Sequence, residues 1–373
     1  HPTKKLILSL NDKKMYVTHY RNLKFYLSHG LQLTKIHRVL EFTQAPWLKP
    51  YIDLCTAERQ MAATTFEADF HKLSANSCFG KTMENLRGRQ NIRLIADRNK
   101  FIKAVSKPSY VHGEIINEDL AMVKGARLML LLNKPVFAGF AILELSKLTM
   151  YEFHYDYILP KYGSDKARLL FTDTDSLTYH IKTENLYDDM DKASDRFDTS
   201  NFPQGHRLHS TTNHRVVGKF KSETAEVAPK QFVGLRSKLY SLHVRKEKPC
   251  KTALKGIAKT YVKKHVRHDA FLRTLLTKKC TTAQFLAFRS VNHEIQTQEI
   301  TKICLSAFDD KRYLLNDGVH SLAYGHKDIP ARNVDVSAPT QPKSLFNLCF
   351  DKFAKSPTPL PHAVVDVVKQ RLL

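Results

Sequence analysis

Between Thr56 and Leu86 the chain contains no proline and a single glycine, Gly80, while Phe66, Phe70, Leu73 and Ser77 recur every three or four positions. That period predicts one long helix or a helical pair. A second such run, "PVFAGFAILELSKLTMYEFHYDYIL", opens at Pro135 and repeats Phe137, Ala141, Leu145, Leu148, Tyr151 and Tyr155. It predicts a long, largely buried helix, closed by Pro160 and Gly163.

Elsewhere the pattern shortens to that of strands. "LLFTDTDSLTYHI", Leu169 to Ile181, has two apolar half-strands around T-D-T-D-S, which predicts a hairpin with Asp173 and Asp175 at its tip. "RVVGKFKS" and "QFVGLRSKLYSLHV" are further strand candidates. The first fifty residues predict short strands and helices broken at Pro46 and Pro50, and Arg87–Asn133 predicts a smaller strand-containing insertion. After Pro249, "KTALKGIAKTYVKKHVRHDAFLRTLLTKK" reads as basic and helical, and the segment from Asp328 to Pro361 as Pro-rich and extended. The expected fold class is α+β, divided at 1–53, 54–90, 91–134, 135–245, 246–327 and 328–373.

Composition supports a folded chain: 373 residues, 42% hydrophobic and 10% aromatic. Charge narrows the partners. With 59 Lys and Arg against 36 Asp and Glu, the net charge of +23 is spread along the whole sequence. A nucleic acid suits such a surface, because each phosphate neutralised releases condensed counterions. Six widely spaced cysteines without a C-x-x-C pair point to reduced thiols in an intracellular compartment. No apolar run reaches the 18 residues of a membrane span, and no signal peptide is recognisable at the start. The first residue is His rather than Met, so further sequence upstream is expected.

Two carboxylates one residue apart repel one another, and a hard divalent cation with oxygen ligands, Mg2+ best of all, resolves the conflict. Bound there, such an ion bridges substrate phosphates in phosphoryl and nucleotidyl transfer. An ordinary polar turn is the alternative for this stretch alone. In "HKLSANSCFG", Lys72, Asn76 and Phe79 are spaced four and three apart and share one helix face. A point charge for a triphosphate, an amide for hydrogen bonding and a flat ring for a base would form one stripe. Gly80 would let a base pair approach closely.

"KLSANSCFG", then "FTDTDS", then "KLY" at Lys238 to Tyr240 resemble, in order, motif B, motif C and the K-x-Y motif of the family B DNA polymerases. The flanking "PWLKPYIDL", "FDTSNFP", "GKFKSE" and "FVGLRSKLYS" resemble the protein-primed branch, particularly the polymerases of Polinton/Maverick-type mobile elements and related viruses. The resemblance runs from about Leu8 to His326. It implies a right-hand architecture: a palm sheet with Asp173 and Asp175, helical fingers with Lys72 and Asn76, and a basic thumb. By resemblance Asp175 is the principal metal ligand and Asp173 its auxiliary. Lys72 contacts the incoming deoxynucleoside triphosphate, and Asn76, Phe79 and Gly80 line the nascent pair. Arg59 adds a phosphate contact, although its helical phase relative to Lys72 is poor. Lys238, Tyr240 and Arg236, with Lys255 and Lys259 of the thumb, hold the DNA primer-template. A terminal priming protein is a further expected partner, no membrane is involved, and the site of action is the nucleus or the place of viral or mobile-element replication.

Phe79 stands where the family usually has tyrosine, and Phe171-Thr172 where many relatives have an aromatic-Gly pair. Motif A, which supplies the other metal-binding aspartate, is not found. Asp53 lies 19 residues before Lys72, too close for it, among neighbours that do not match. An N-terminally truncated polymerase without its exonuclease domain is therefore expected, with weak metal binding and severely reduced catalysis. The rival is a non-catalytic DNA-binding remnant of a mobile element. A metal-dependent nuclease is a third reading, which gives the Lys72 stripe little purpose. His206, His209 and His214 lack a carboxylate or thiol to complete a metal site and are expected in a solvated loop. Lys255, Lys259, Lys263, Lys264 and Arg267 fall at roughly helical intervals and suit phosphate tracking. The adjacent Asp309 and Asp310 would point to opposite sides of a strand and are not taken as catalytic.

Overall fold

The periodic run around Phe66 folds as two helices because Thr64 makes a fresh start. In the computed structural model, which describes residues 6–244, 251–291, 294–330 and 364–370, α1 spans Tyr20–Ser28, α2 Lys49–Met61 and α3 Thr65–Thr82. The Thr64 hydroxyl accepts from the Glu67 amide, and the Glu67 carboxylate accepts from the Thr64 amide. This reciprocal cap satisfies two amides that a helix start leaves open. Pro50 opens α2, where a missing N–H costs nothing.

The chain forms two compact units. The helical unit is built chiefly from Thr18–Thr149 with Leu286–Ile300, and the sheet unit from His1–Val17, Met150–Phe285 and Thr301–Arg371. In the helical unit, β1 (Asn91–Ile95), α4 (Arg98–Val105), β2 (Tyr110–Asn117) and β3 (Leu120–Gly125) occupy the segment expected to contain strands, with an antiparallel sheet in the order β1-β3-β2. Next comes α5, Val136–Tyr151. Its Gly139 lies against the end of α3, where a Cβ would collide with the Thr82 hydroxyl and the Met83 side chain. Only glycine permits that approach. The buried Glu144 of α5 accepts from the Asn22 amide at 3.2 Å and pairs with Lys147 at 2.8 Å.

The helical run continues past α5 through a π-helical turn, Glu152–Ile158, into α6, Leu159–Tyr162. Pro160 therefore does not close the helix, as expected from sequence, but sits inside it. The wider turn bonds Leu159 N–H to the His154 carbonyl and accommodates the missing donor. Gly163, at φ 76°, makes the actual stop.

In the sheet unit, β4 (Ala167–Asp173) and β5 (Ser176–Ile181) form the expected hairpin, followed by α7 (Leu186–Asp191) and β6 (Phe220–Ser222). "RVVGKFKS" yields only those last three strand residues, because Arg215 and Gly218 adopt positive φ and break the extended run. A second antiparallel sheet holds β7 (Gln231–Arg236), β8 (Leu239–His243) and β9 (Lys251–Leu254) in that order. The basic region is less helical than expected. It gives β9, then short α8 (Lys259–His265) and α9 (His268–Thr277), so Lys255 and Arg267 lie outside α8. A long two-stranded hairpin follows, β10 (Thr281–Val291) and β11 (Glu294–Leu305), which the composition did not announce. The small pair β12 (Tyr313–Leu314) and β13 (Ser321–Leu322) comes next. Residues 331–363, most of the expected Pro-rich tail, lie outside the described residues. Beyond them β14, Val364–Gln370, pairs with β5 and β6 and completes a sheet in the order β4-β5-β14-β6. The β-branched run "VVDVV" gives this tail its strand.

Two cores support these sheets. Tyr179, Leu177 and Ile181 of β5 pack with Phe153, Phe197 and Phe220, and Phe153 stacks on Phe220 at 3.9 Å between centroids. Val233, Leu235 and Leu239 pack with Phe271 of α9 and Leu305. Helices and antiparallel sheets together make the fold α+β.

Candidate active site

Two tight turns meet in the sheet unit. In the first, Asp173 opposes Ser176, leaving Thr174-Asp175 as a two-residue connection. The Asp175 amide donates to the Asp173 carbonyl at 2.6 Å while Thr174 stands at φ 54°. That is the geometry of a γ-turn with a β-branched residue in left-handed space, a costly arrangement. The Ser176 hydroxyl adds a bond to the same carbonyl at 3.2 Å. Strain of this kind persists only where surrounding structure imposes it.

The second turn joins β7 to β8. Arg236 opposes Leu239, and Lys238 in the connection takes φ 59°. Its ammonium reaches Asp173 Oδ1 at 3.1 Å. Two residues on, the Tyr240 ring packs against Phe171 at 4.6 Å, with Phe232 at 5.9 Å from Tyr240. Leu242, 1% exposed, sits beneath with Leu170 beside it. Strand β4 thus carries the first acidic residue, β8 carries the lysine's hairpin, and an aromatic cluster fixes one against the other. Sequence reading paired Asp173 with Asp175 but not Asp173 with Lys238. Nothing in local spacing links positions 65 apart.

This answers part of the electrostatic question posed by the acidic tip. Asp173 and Asp175 are both half-buried, and a lysine of the same unit neutralises one of them. Mg2+ is commonly held by one or two carboxylates plus substrate phosphates, and Asp173 and Asp175 supply two carboxylates from one turn. Among the described residues no group of three or more His, Cys, Asp or Glu side chains gathers at metal-binding distance.

In the helical unit, Lys72 and Asn76 are exposed on α3, Phe79 is half-buried, and Gly80 has open space where a Cβ would stand. They share one face, as their spacing requires. The opposite face carries apolar side chains that remain exposed. Phe70 is 55% and Leu73 64% exposed, and with Tyr51, Cys78 and Lys134 they line a cavity of about 750 Å³. Arg59 is half-buried on α2.

Arg236, Lys255 and Lys259 are exposed in the sheet unit. His206 and His209 are half-buried loop supports rather than solvated. The first accepts from the Leu208 amide at 3.1 Å, and the second bonds the Phe202 carbonyl at 2.8 Å. Asp309 Oδ1 accepts from the Lys311 amide in a loop. A polar trio escaped sequence reading: the buried His268 of α9 bonds the buried Ser241 of β8 at 2.9 Å and the half-buried Gln231 of β7 at 3.0 Å. Burial holds this imidazole below its ordinary pKa. It ties the lysine-bearing hairpin to α9. The available signal was Ser241, a small polar residue between Tyr240 and Leu242 of β8.

The chain matches no model of a known protein family, no curated protein and no solved structure.

Proposed function

We propose that this chain is the palm, fingers and thumb portion of a family B DNA polymerase of the protein-primed branch, acting in template-directed deoxynucleotidyl transfer. The observation that carries the reading is the meeting of the D-T-D-S turn with the K-x-Y turn, through Lys238 on Asp173 and Tyr240 on Phe171. Two motifs separated in sequence converge at one acidic tip, as a shared role on one substrate requires. The exposed Lys72 face of α3 and the net charge of +23 suit a triphosphate and a nucleic-acid backbone.

In this reading Asp173 and Asp175 hold Mg2+, which when bound neutralises charge on the reacting phosphate. Lys238 and Tyr240 support the primer end, and Lys72 binds the triphosphate. The sequence contains no D-x-x-x-L-Y-P motif to add a third carboxylate, so incorporation by this chain alone is severely reduced.

Two measurements test the proposal. Fluorescence anisotropy with a primer-template should show binding weakened by Lys238→Ala, and primer extension with Mg2+ should show slow, Asp175-dependent incorporation at most. Nucleotide binding that ignores Lys72→Ala, together with duplex binding indifferent to Asp173 and Asp175, would favour the non-catalytic remnant. Cleavage of labelled DNA without nucleotides would favour the nuclease.

A further inference from the structure

The contact between Lys238 and Asp173 has the properties of an exchangeable one. Lys238 has its backbone fixed in a two-residue turn, while its side chain remains 48% exposed. The packing of Tyr240 on Phe171 holds the turn in place, so the four-carbon stem can swing without moving the hairpin. A lysine ammonium is a point charge on a flexible stem, free of the two-pronged geometry that would lock an arginine to a carboxylate. An ion pair this exposed is also weak, so breaking it costs little. Among the described residues, the Asp173 carboxylate otherwise takes a long bond from the Thr174 hydroxyl, at 3.4 Å.

We infer that Lys238 is a switchable counter-ion: it neutralises Asp173 while the acidic tip holds no divalent cation, and passes to a backbone phosphate when a nucleic-acid duplex binds. The inference rests on the polymerase reading of this site. Its consequence is thermodynamic. A lysine seated on Asp173 opposes a second cation at the same carboxylate, and a phosphate that draws the lysine away removes that opposition. Duplex and divalent cation then strengthen one another's binding by the same factor, because coupling between two sites is reciprocal. The tip stays poor in metal until a duplex arrives, which spares a strained acidic turn from binding cations without substrate.

The test uses Mn2+ as the probe, followed by electron paramagnetic resonance on the chain with and without a short primer-template. In the parent, Mn2+ affinity should rise about 5-fold on adding the duplex, near the most that displacing one exposed ion pair can return. In Lys238→Met, which keeps the stem and loses the charge, duplex-free affinity should already be raised by about that factor, and the duplex should add less than about 2-fold. Lys238→Arg should retain the coupling in part. A second arm needs no metal. Asp173→Asn releases the lysine from the other side, so duplex affinity measured in chelator should rise several-fold.

Equal coupling in the parent and Lys238→Met would overturn the inference, as would no gain in duplex affinity for Asp173→Asn. If Mn2+ binds in an Asp175-dependent manner without coupling to the duplex, this inference alone fails. If no Asp175-dependent binding is found in any variant, the polymerase reading fails and takes the inference with it.

Discussion

The acidic tip and the α3 stripe are two candidate surfaces built in opposite ways. On α3, Lys72, Asn76 and Phe79 belong to one helix, and the pitch of that helix puts them on one face whatever else the chain does. At the tip, Asp173 meets Lys238 through two separate hairpins, each with a non-glycine residue at positive φ and both resting on Phe171, Phe232, Tyr240 and Leu242. The stripe depends on local geometry, and the tip on packing. Damage to the core should therefore disable the second long before the first.

The largest test of that contrast is stability. Leu242→Ala, at a position 1% exposed beneath the tip, should cost about 2–5 kcal/mol in urea unfolding, since it removes buried atoms and leaves a cavity. Asn76→Ala on the exposed stripe should change it by less than about 0.5 kcal/mol. Comparable losses at the two positions would erase the distinction.

Chemistry comes next. Asp173→Asn together with Asp175→Asn should weaken Mn2+ binding about 30-fold or more, because removing both charges removes the donor set. Triphosphate binding measured without divalent cation should be unchanged in that variant. Lys72→Ala should do the reverse, lowering triphosphate affinity about 10-fold through loss of one charge-assisted contact, with no change in melting temperature. Isothermal titration of each variant with each ligand separates the two surfaces. A variant that lost both ligands would show that they are not independent.

The smallest effect expected is in pH dependence, and it differs between the units. His154, His180 and His268, all in the sheet unit, are held below their ordinary pKa by burial, with Lys182 and Arg168 adding to the effect at His180. The unfolded chain then binds protons more readily than the folded one. Their contribution to stability is complete above about pH 6.5 and is lost as pH falls from there through the folded values. In the helical unit, Glu84 is lowered to about 2 by hydrogen bonds from Arg89 and Lys81. Its contribution is present above the ordinary carboxylate range and disappears only as pH falls toward about 2. Hydrogen exchange resolved by region between pH 7 and 5 should show protection declining first in β5, β8 and α9. Uniform decline across both units would count against this assignment.

Local pattern was enough to read the two helical runs, the strand-bearing insertion, the acidic hairpin and the stripe on α3. Each follows from periods of two or 3.6 residues and from turn chemistry acting over a few positions. The same logic misplaced what depends on surroundings. Pro160 looked like a stop but is carried by a π-turn. The run "VVDVV" became a strand beside β5 although it lies far from it in sequence.

What the sequence determined by itself is the inventory: an acidic pair at a turn, a lysine, an amide and a ring on one helix face, and a strong excess of positive charge. Tertiary structure alone decided which charges face each other. The pairing of Lys238 with Asp173 and the bonding of His268 to Ser241 and Gln231 join residues tens of positions apart. Such contacts exist only once the strands carrying them are packed, because electrostatic and hydrogen-bond partners are chosen by distance in space, on which sequence spacing is silent.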